Sequence, residues 1–130
     1  MSRIFGVHHI NLECKDLEAT KQWYRDIFNL EDVDRGPGIG VVQNQLHVGE
    51  SELHFTVRDD AVYMAEGHPA FEIKDWNEMI AHLVQNGIGF ERGGPTYRPD
   101  GSTAAFIRDL EGNLLEIVHH PTGRRWARDN

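Results

Sequence analysis

The stretch HHINLECKD, residues 8–16, returns as HPAFEIKD at residues 68–75. With His68 set under His9, Glu72 falls under Glu13, Lys74 under Lys15 and Asp75 under Asp16, each displaced by 68 − 9 = 59 residues. A 130-residue chain that writes H-x-x-apolar-E-x-K-D twice is built from two copies of one unit. The copies extend well beyond the motif. Each opens on a strand-like run, IFGVHHINLEC (residues 4–14) or HPAFEI (residues 68–73), and each run leads to an aspartate placed to cap a helix.

In DLEATKQWYRDIFN, Asp16 is the expected N-cap, and Leu17, Thr20, Trp23, Tyr24 and Ile27 share one helical face. In DWNEMIAHLVQNG, Asp75 is the cap, Trp76, Met79, Ile80, Leu83 and Val84 make the stripe, and Gly87 is the stop signal. The segments LEDVDRGPG and IGFERGGP follow, each closing on an Arg-Gly turn. Each copy then has strand, tight turn and strand: NQLHV-GES-ELHFTV in the first and TAAFIRD-LEG-NLLEIV in the second. The expected class is α+β, two tandem βαβββ units, with residues 5–60 as the first module, 66–120 as the second and 121–130 as a tail on one domain. Two copies are too few for a solenoid, which needs at least three to bury its faces. They suit a pseudo-symmetric pair of small sheets sharing a site.

Strand alternation decides which residues can face that site. Ile10 and Leu12 share one face of the first strand, with His9, Asn11 and Glu13 on the other. In its partner, Phe71 and Ile73 oppose His68, Ala70 and Glu72. The apolar faces must cover the helical stripes, which leaves both histidines on the open side. In ELHFTV the buried set is Leu53, Phe55 and Val57, so His54 and Thr56 share the open face; in LLEIV, Leu115 and Ile117 are buried and Glu116 and Val118 are open. The repeat thus equates His9 with His68 and, at an offset of 116 − 54 = 62, His54 with Glu116. Three imidazoles and a carboxylate aimed at one axis form a metal site by residue type. Asn11, Thr56, Ala70 and Val118 share the face and are the expected pocket lining. His8 and His47 lie beside the alternation and His82 lies mid-helix, so these read as ordinary polar residues; His120 shares the parity of Glu116.

Composition narrows the partners. A formal net charge of −8 argues against nucleic acid, whose phosphates want a basic patch. The one basic cluster, GRRWARD with Arg124, Arg125 and Arg128, reads as a solvated tail. Cys14 is the only cysteine, so no intrachain disulfide forms, and the N-terminal residues hold no apolar run suited to a signal peptide or membrane span. A cytoplasmic protein with no membrane partner is the expectation.

Residues 5–120 resemble the vicinal oxygen chelate superfamily, which includes glyoxalase I, fosfomycin-resistance transferases, extradiol dioxygenases and bleomycin-resistance proteins. The resemblance rests on HHINLECKDLEATKQWYRDIFNL, on GHPAFEIKD and on FIRDLEGNLLEIV, which is similar to the family ending F-x-x-D-P-D-G-N-x-x-E-L. It implies a glyoxalase-like half-open barrel, a homodimer and a divalent ion (Fe, Mn, Ni, Co or Zn) held by His9, His68 and Glu116, where a small oxygenated substrate chelates. Glyoxalase-type enzymes carry a glutamate where LHFT places His54, so the glyoxalase reaction itself is in question, and His54 is a fourth ligand or an acid/base. Ala104, Ala105 and Phe106 stand where extradiol dioxygenases carry a further histidine and a tyrosine, and Asn11 stands where fosfomycin-type enzymes carry a threonine. The alternative is a metal-free binding protein of the bleomycin-resistance kind, with Trp23, Trp76 and Trp126 as its aromatic candidates; the first two belong to the helix stripes.

Overall fold

A computed structural model describes residues 2–121, so the basic cluster and Trp126 lie outside the described residues. The chain divides into two compact units, Met1–Tyr63 and Met64–Asn130, each α+β and each built on its own open sheet.

The first unit runs β1 (His9–Cys14), α1 (Leu17–Phe28), β2 (Gln45–Val48) and β3 (Ser51–Val57). β3 is central, parallel to β1 and antiparallel to β2. Leu12 and Cys14 of β1 are buried while His9 and Asn11 are exposed, the alternation expected of a strand covered on one side. Asp16 caps α1 by accepting from Ala19 N at 3.0 Å. The helix ends at Asn29, which takes a left-handed φ of 57° and donates its N–H to Arg25 O. Leu12, Tyr24, Ile27, Leu46, Leu53 and Phe55 make the core, with the Tyr24 and Phe55 rings 5.4 Å apart.

Two features of this unit depart from simple patterning. Lys21 is only 2% exposed. Its stem lies along the core-facing side of α1 while Nζ reaches Gln43 O at 2.7 Å and Asp32 Oδ1 at 3.2 Å. The strand expected after α1 shrinks to one bridge, Asp32 to Leu46. Gly36, Gly38 and Gly40 all take positive φ around Pro37, and a backbone turning left-handed at alternate residues cannot stay extended.

The second unit runs β4 (Ala70–Glu72), α2 (Trp76–Gln85), β5 (Glu91–Tyr97), β6 (Thr103–Arg108) and β7 (Leu114–His119), in sheet order β4-β7-β6-β5. β4 and β7 are parallel and the other pairings antiparallel. Asp75 accepts from Glu78 N at 3.1 Å to cap α2. Met79 and Leu83 bury the centre of its face; Val84, expected in the stripe, is 62% exposed because it lies a further 100° round the helix from Leu83. β5 is broken between Glu91 and Thr96, where Arg92 (φ 54°), Gly93 and Gly94 form a bulge. The β6–β7 turn is tied by Asp109, whose Oδ1 accepts from Glu111 N and Asn113 N and whose Oδ2 accepts from Asn113 Nδ2.

The repeat survives in the pairing. β3 sets His54 opposite Asn11, and β7 sets Glu116 opposite Ala70. The displacements are 70 − 11 = 59 and 116 − 54 = 62, those of the sequence repeat. No helix among the described residues is long and apolar enough to cross a membrane.

Candidate metal centre

In the first unit, the parallel pairing puts His9 beside Glu52, Asn11 beside His54 and Glu13 beside Thr56, all on the face opposite buried Leu12, Leu53 and Phe55. The His9 and His54 rings stack at 3.9 Å with 14° between their planes. His54 Nε2 lies 2.8 Å from Glu52 Oε1. That hydrogen bond is the main reason the Glu52 carboxyl is held below its ordinary range; partial burial opposes it, and the charges of His8, His54 and His47 assist. Asn11 and Thr56 satisfy one another, Asn11 Nδ2 donating to Thr56 Oγ1 at 2.9 Å and the hydroxyl donating back to Oδ1 at 3.1 Å.

Alternation along β1 leaves His8 out of this group, yet the structure brings it in. The strand begins at His9, so its two-residue period does not bind the residue before it. His8 Nδ1 lies 2.9 Å from His9 Nδ1, and one ring nitrogen from each of His8, His9 and His54 falls within 4.8 Å of the others. Only the doubled histidine in HHINL signals this in the sequence.

The second unit pairs His68 with Glu116. His68 precedes β4, and its Nδ1 lies 2.9 Å from Glu66 O. A carbonyl only accepts, so Nδ1 carries the hydrogen and Nε2 of the neutral ring keeps the lone pair. That Nε2 stands 3.1 Å from Glu116 Oε1, a hydrogen bond when Nε2 also carries a proton and a pair of ligand atoms when it does not. The spacing suits an ion as well as a proton: donors each ~2.1 Å from one ion sit about 3.0–3.4 Å apart at octahedral or tetrahedral angles. The other carboxylate oxygen, Oε2, accepts from Arg98 Nη2 at 2.8 Å, and Glu116 is 8% exposed. Such an outer hydrogen bond is the usual companion of a ligating carboxylate. Phe106, beside Glu116 in the register, meets the His68 ring edge-on at 5.0 Å, and the Arg92 guanidinium lies 4.5 Å over its face.

Of the pocket candidates on this sheet, Ala70 is exposed beside Glu116 and Val118 is buried at 8% exposure. Further along the same face His120 is gripped by Glu72, its backbone N–H donating to Oε2 at 2.9 Å and its ring Nδ1 lying 2.6 Å from Oε1. Each unit therefore presents a pair on its polar face: His9 with His54 in one, His68 with Glu116 in the other.

Residues 6–117 match the family model for the glyoxalase/bleomycin resistance protein/dioxygenase superfamily. No curated protein matches the chain. Among solved structures, a glyoxalase family protein from Bacillus anthracis is similar at 20% identity and a TM-score of 0.78, over 92% of this chain and 98% of that one. A lactoylglutathione lyase from Agrobacterium tumefaciens is similar at 24% identity and 0.70, over 98% and 100%. A fosfomycin resistance protein from Listeria monocytogenes is similar at 20% identity and 0.70, over 90% and 94%. At these identities the likeness is one of fold.

Proposed function

Because the chain belongs to the glyoxalase/bleomycin resistance protein/dioxygenase superfamily, we propose that it is a metal-dependent enzyme acting on a small molecule with neighbouring oxygens. In this reading His9, His68 and Glu116 hold a divalent ion, and His54 is a fourth ligand or an acid/base. The observation that carries it is the His68–Glu116 pair. The ring nitrogen Nε2 and a carboxylate oxygen stand 3.1 Å apart, with the ring's Nδ1 held by Glu66 O and the other carboxylate oxygen by Arg98, a spacing and support that suit two ligands of one ion.

When bound, the ion supplies Lewis acidity, polarising a carbonyl or hydroxyl of the chelated substrate. The protein's own residues do the rest. Arg98 keeps the Glu116 carboxylate turned toward His68, Glu66 O sets the tautomer of His68, and Phe106 with Arg92 walls one side of the ring. The imidazole at position 54, in place of a carboxylate, supports a reaction outside the lactoylglutathione lyase type. A homodimer belongs to the same reading, to be checked by sedimentation.

The test is metal analysis of protein purified without a tag, followed by thermal unfolding of stripped protein with Mn, Fe, Ni, Co or Zn added. Stabilisation by at least one ion is expected, since binding to the native state alone raises stability by about 2.7 kcal/mol at a concentration 100 times Kd. Protein that gains nothing from any of the five is instead a metal-free binder.

A further inference from the structure

We infer that His8, His9 and His54 bind one divalent ion of the imidazole-preferring class (Zn, Ni, Co or Cu) within the first unit alone, with Glu52 orienting His54. The inference shares His9 and His54 with the function proposed above but does not rest on it: a His9 ring that ligates here through Nδ1 has no lone pair left for the His68–Glu116 ion, so the two sites are alternative uses of His9, sorted by the class of ion. His8 is the new ligand.

Geometry comes first. A ring nitrogen from each histidine lies within 4.8 Å of the other two, and the His8 and His9 Nδ1 atoms are 2.9 Å apart. Two Nδ1 atoms at that distance in neutral rings require one to donate to the other; an ion in the same place accepts both lone pairs, with each ring moving its hydrogen to Nε2. The spacing is close to the ~3.0 Å between neighbouring ligands of an ion with ~2.1 Å bonds.

Support for the rings comes second. Consecutive residues of a regular strand point to opposite faces, so His8 and His9 could not both ligate from inside β1. Here β1 starts at His9, and the His8 carbonyl accepts from Glu52 N at 2.9 Å, which anchors the backbone while leaving the His8 ring free to turn inward. His8 lies edge-on to His9 and His54 at 5.1 and 6.2 Å; those two rings stack with 14° between their planes, so their in-plane lone pairs run side by side and one ring tilts for both to meet the ion. Glu52 Oε1 at 2.8 Å takes the Nε2 hydrogen of His54, which leaves Nδ1 of that ring as the lone-pair nitrogen. A carboxylate behind a histidine is the usual outer partner of a metal ligand.

Ligand type comes third. Three nitrogens and no oxygen favour ions late in the first row, where affinity for imidazole rises toward Cu and Zn, over Mn or Mg, which prefer carboxylates and water.

The experiment titrates Zn(II) and Cu(II) into stripped, tag-free full-length protein by calorimetry, with Cu(II) paramagnetic resonance counting bound nitrogens. In the double variant H68A/E116Q, Zn and Cu still bind, within about tenfold of wild type. Adding H8A to that background weakens binding roughly 100-fold and drops the nitrogen count from three to two, and E52Q weakens it about tenfold with the count unchanged. Circular dichroism checks each fold, and E116Q alone replaces the double variant if that one does not fold. Loss of both ions in H68A/E116Q, or an H8A variant with unchanged affinity and nitrogen count, overturns the inference and leaves the His9–His68–Glu116 reading standing. A wild-type protein that binds no metal overturns both.

Discussion

Nε2 of His68 stands 3.1 Å from Oε1 of Glu116, with the other nitrogen of that ring already given to the carbonyl of Glu66. A positive charge, either a proton or a metal ion, joins two such atoms. E116Q keeps the shape but removes the charge, and it abolishes metal-dependent thermal stabilisation by hard ions such as Mn and Fe. Differential scanning fluorimetry of stripped protein with and without each ion reads this directly; an E116Q protein stabilised by Mn or Fe as strongly as wild type contradicts it.

Arg98 touches Glu116 on the oxygen that His68 does not use. R98M leaves the His68–Glu116 pair in place but releases the carboxylate to rotate. The expected result is a roughly 10–100-fold weaker affinity for the ion held by that pair. Competition with a chelator of known affinity measures it.

Asp32 links acid stability to α1. Its carboxyl is partly buried, which alone would raise its pKa, but hydrogen bonds from Arg25 and Lys21 together with their charges hold it below the ordinary carboxylate value. A carboxyl depressed in the folded state contributes stability that is full above its unfolded pKa, roughly 3.9, and is lost as pH falls through the folded value. D32N therefore destabilises at neutral pH, by about 1 kcal/mol given that Asp32 is half exposed. The gap closes toward pH 3. Urea unfolding of both proteins between pH 3 and 7 tests the sign; a gap that widens on acidification is the contrary result.

The β6–β7 turn depends on Asp109, which is 6% exposed and accepts from two backbone N–H groups and the Asn113 amide. Asn113 in turn accepts from Met64 N at 2.8 Å. D109A leaves those buried donors without their acceptor and costs about 2–4 kcal/mol in urea denaturation. D16A and D75A, which remove only helix caps, cost about 1 kcal/mol each.

The local rules of the chain were legible without coordinates. A histidine, an apolar alternation and a capping aspartate recur at one spacing, so Asp16 and Asp75 cap their helices, Leu12 and Ile117 turn inward, and Glu116 shares a face with Ala70. Residue period and hydrogen-bonding capacity are properties of neighbours along the chain, and they needed nothing more.

Tertiary structure decided what depends on where an element starts and on what faces it. That β1 begins at His9 and frees His8 for the imidazole cluster is set by the pairing of Glu52 with the backbone there. That Lys21 is buried follows from the nearness of Asp32 and the Gln43 carbonyl, 11 and 22 residues away in sequence. That the strand after α1 shrinks to one bridge, and that Arg98 supports Glu116, likewise rest on contacts between distant residues. Charges and ring edges find partners through space, and periodicity along a chain records which side a residue faces, not what meets it there.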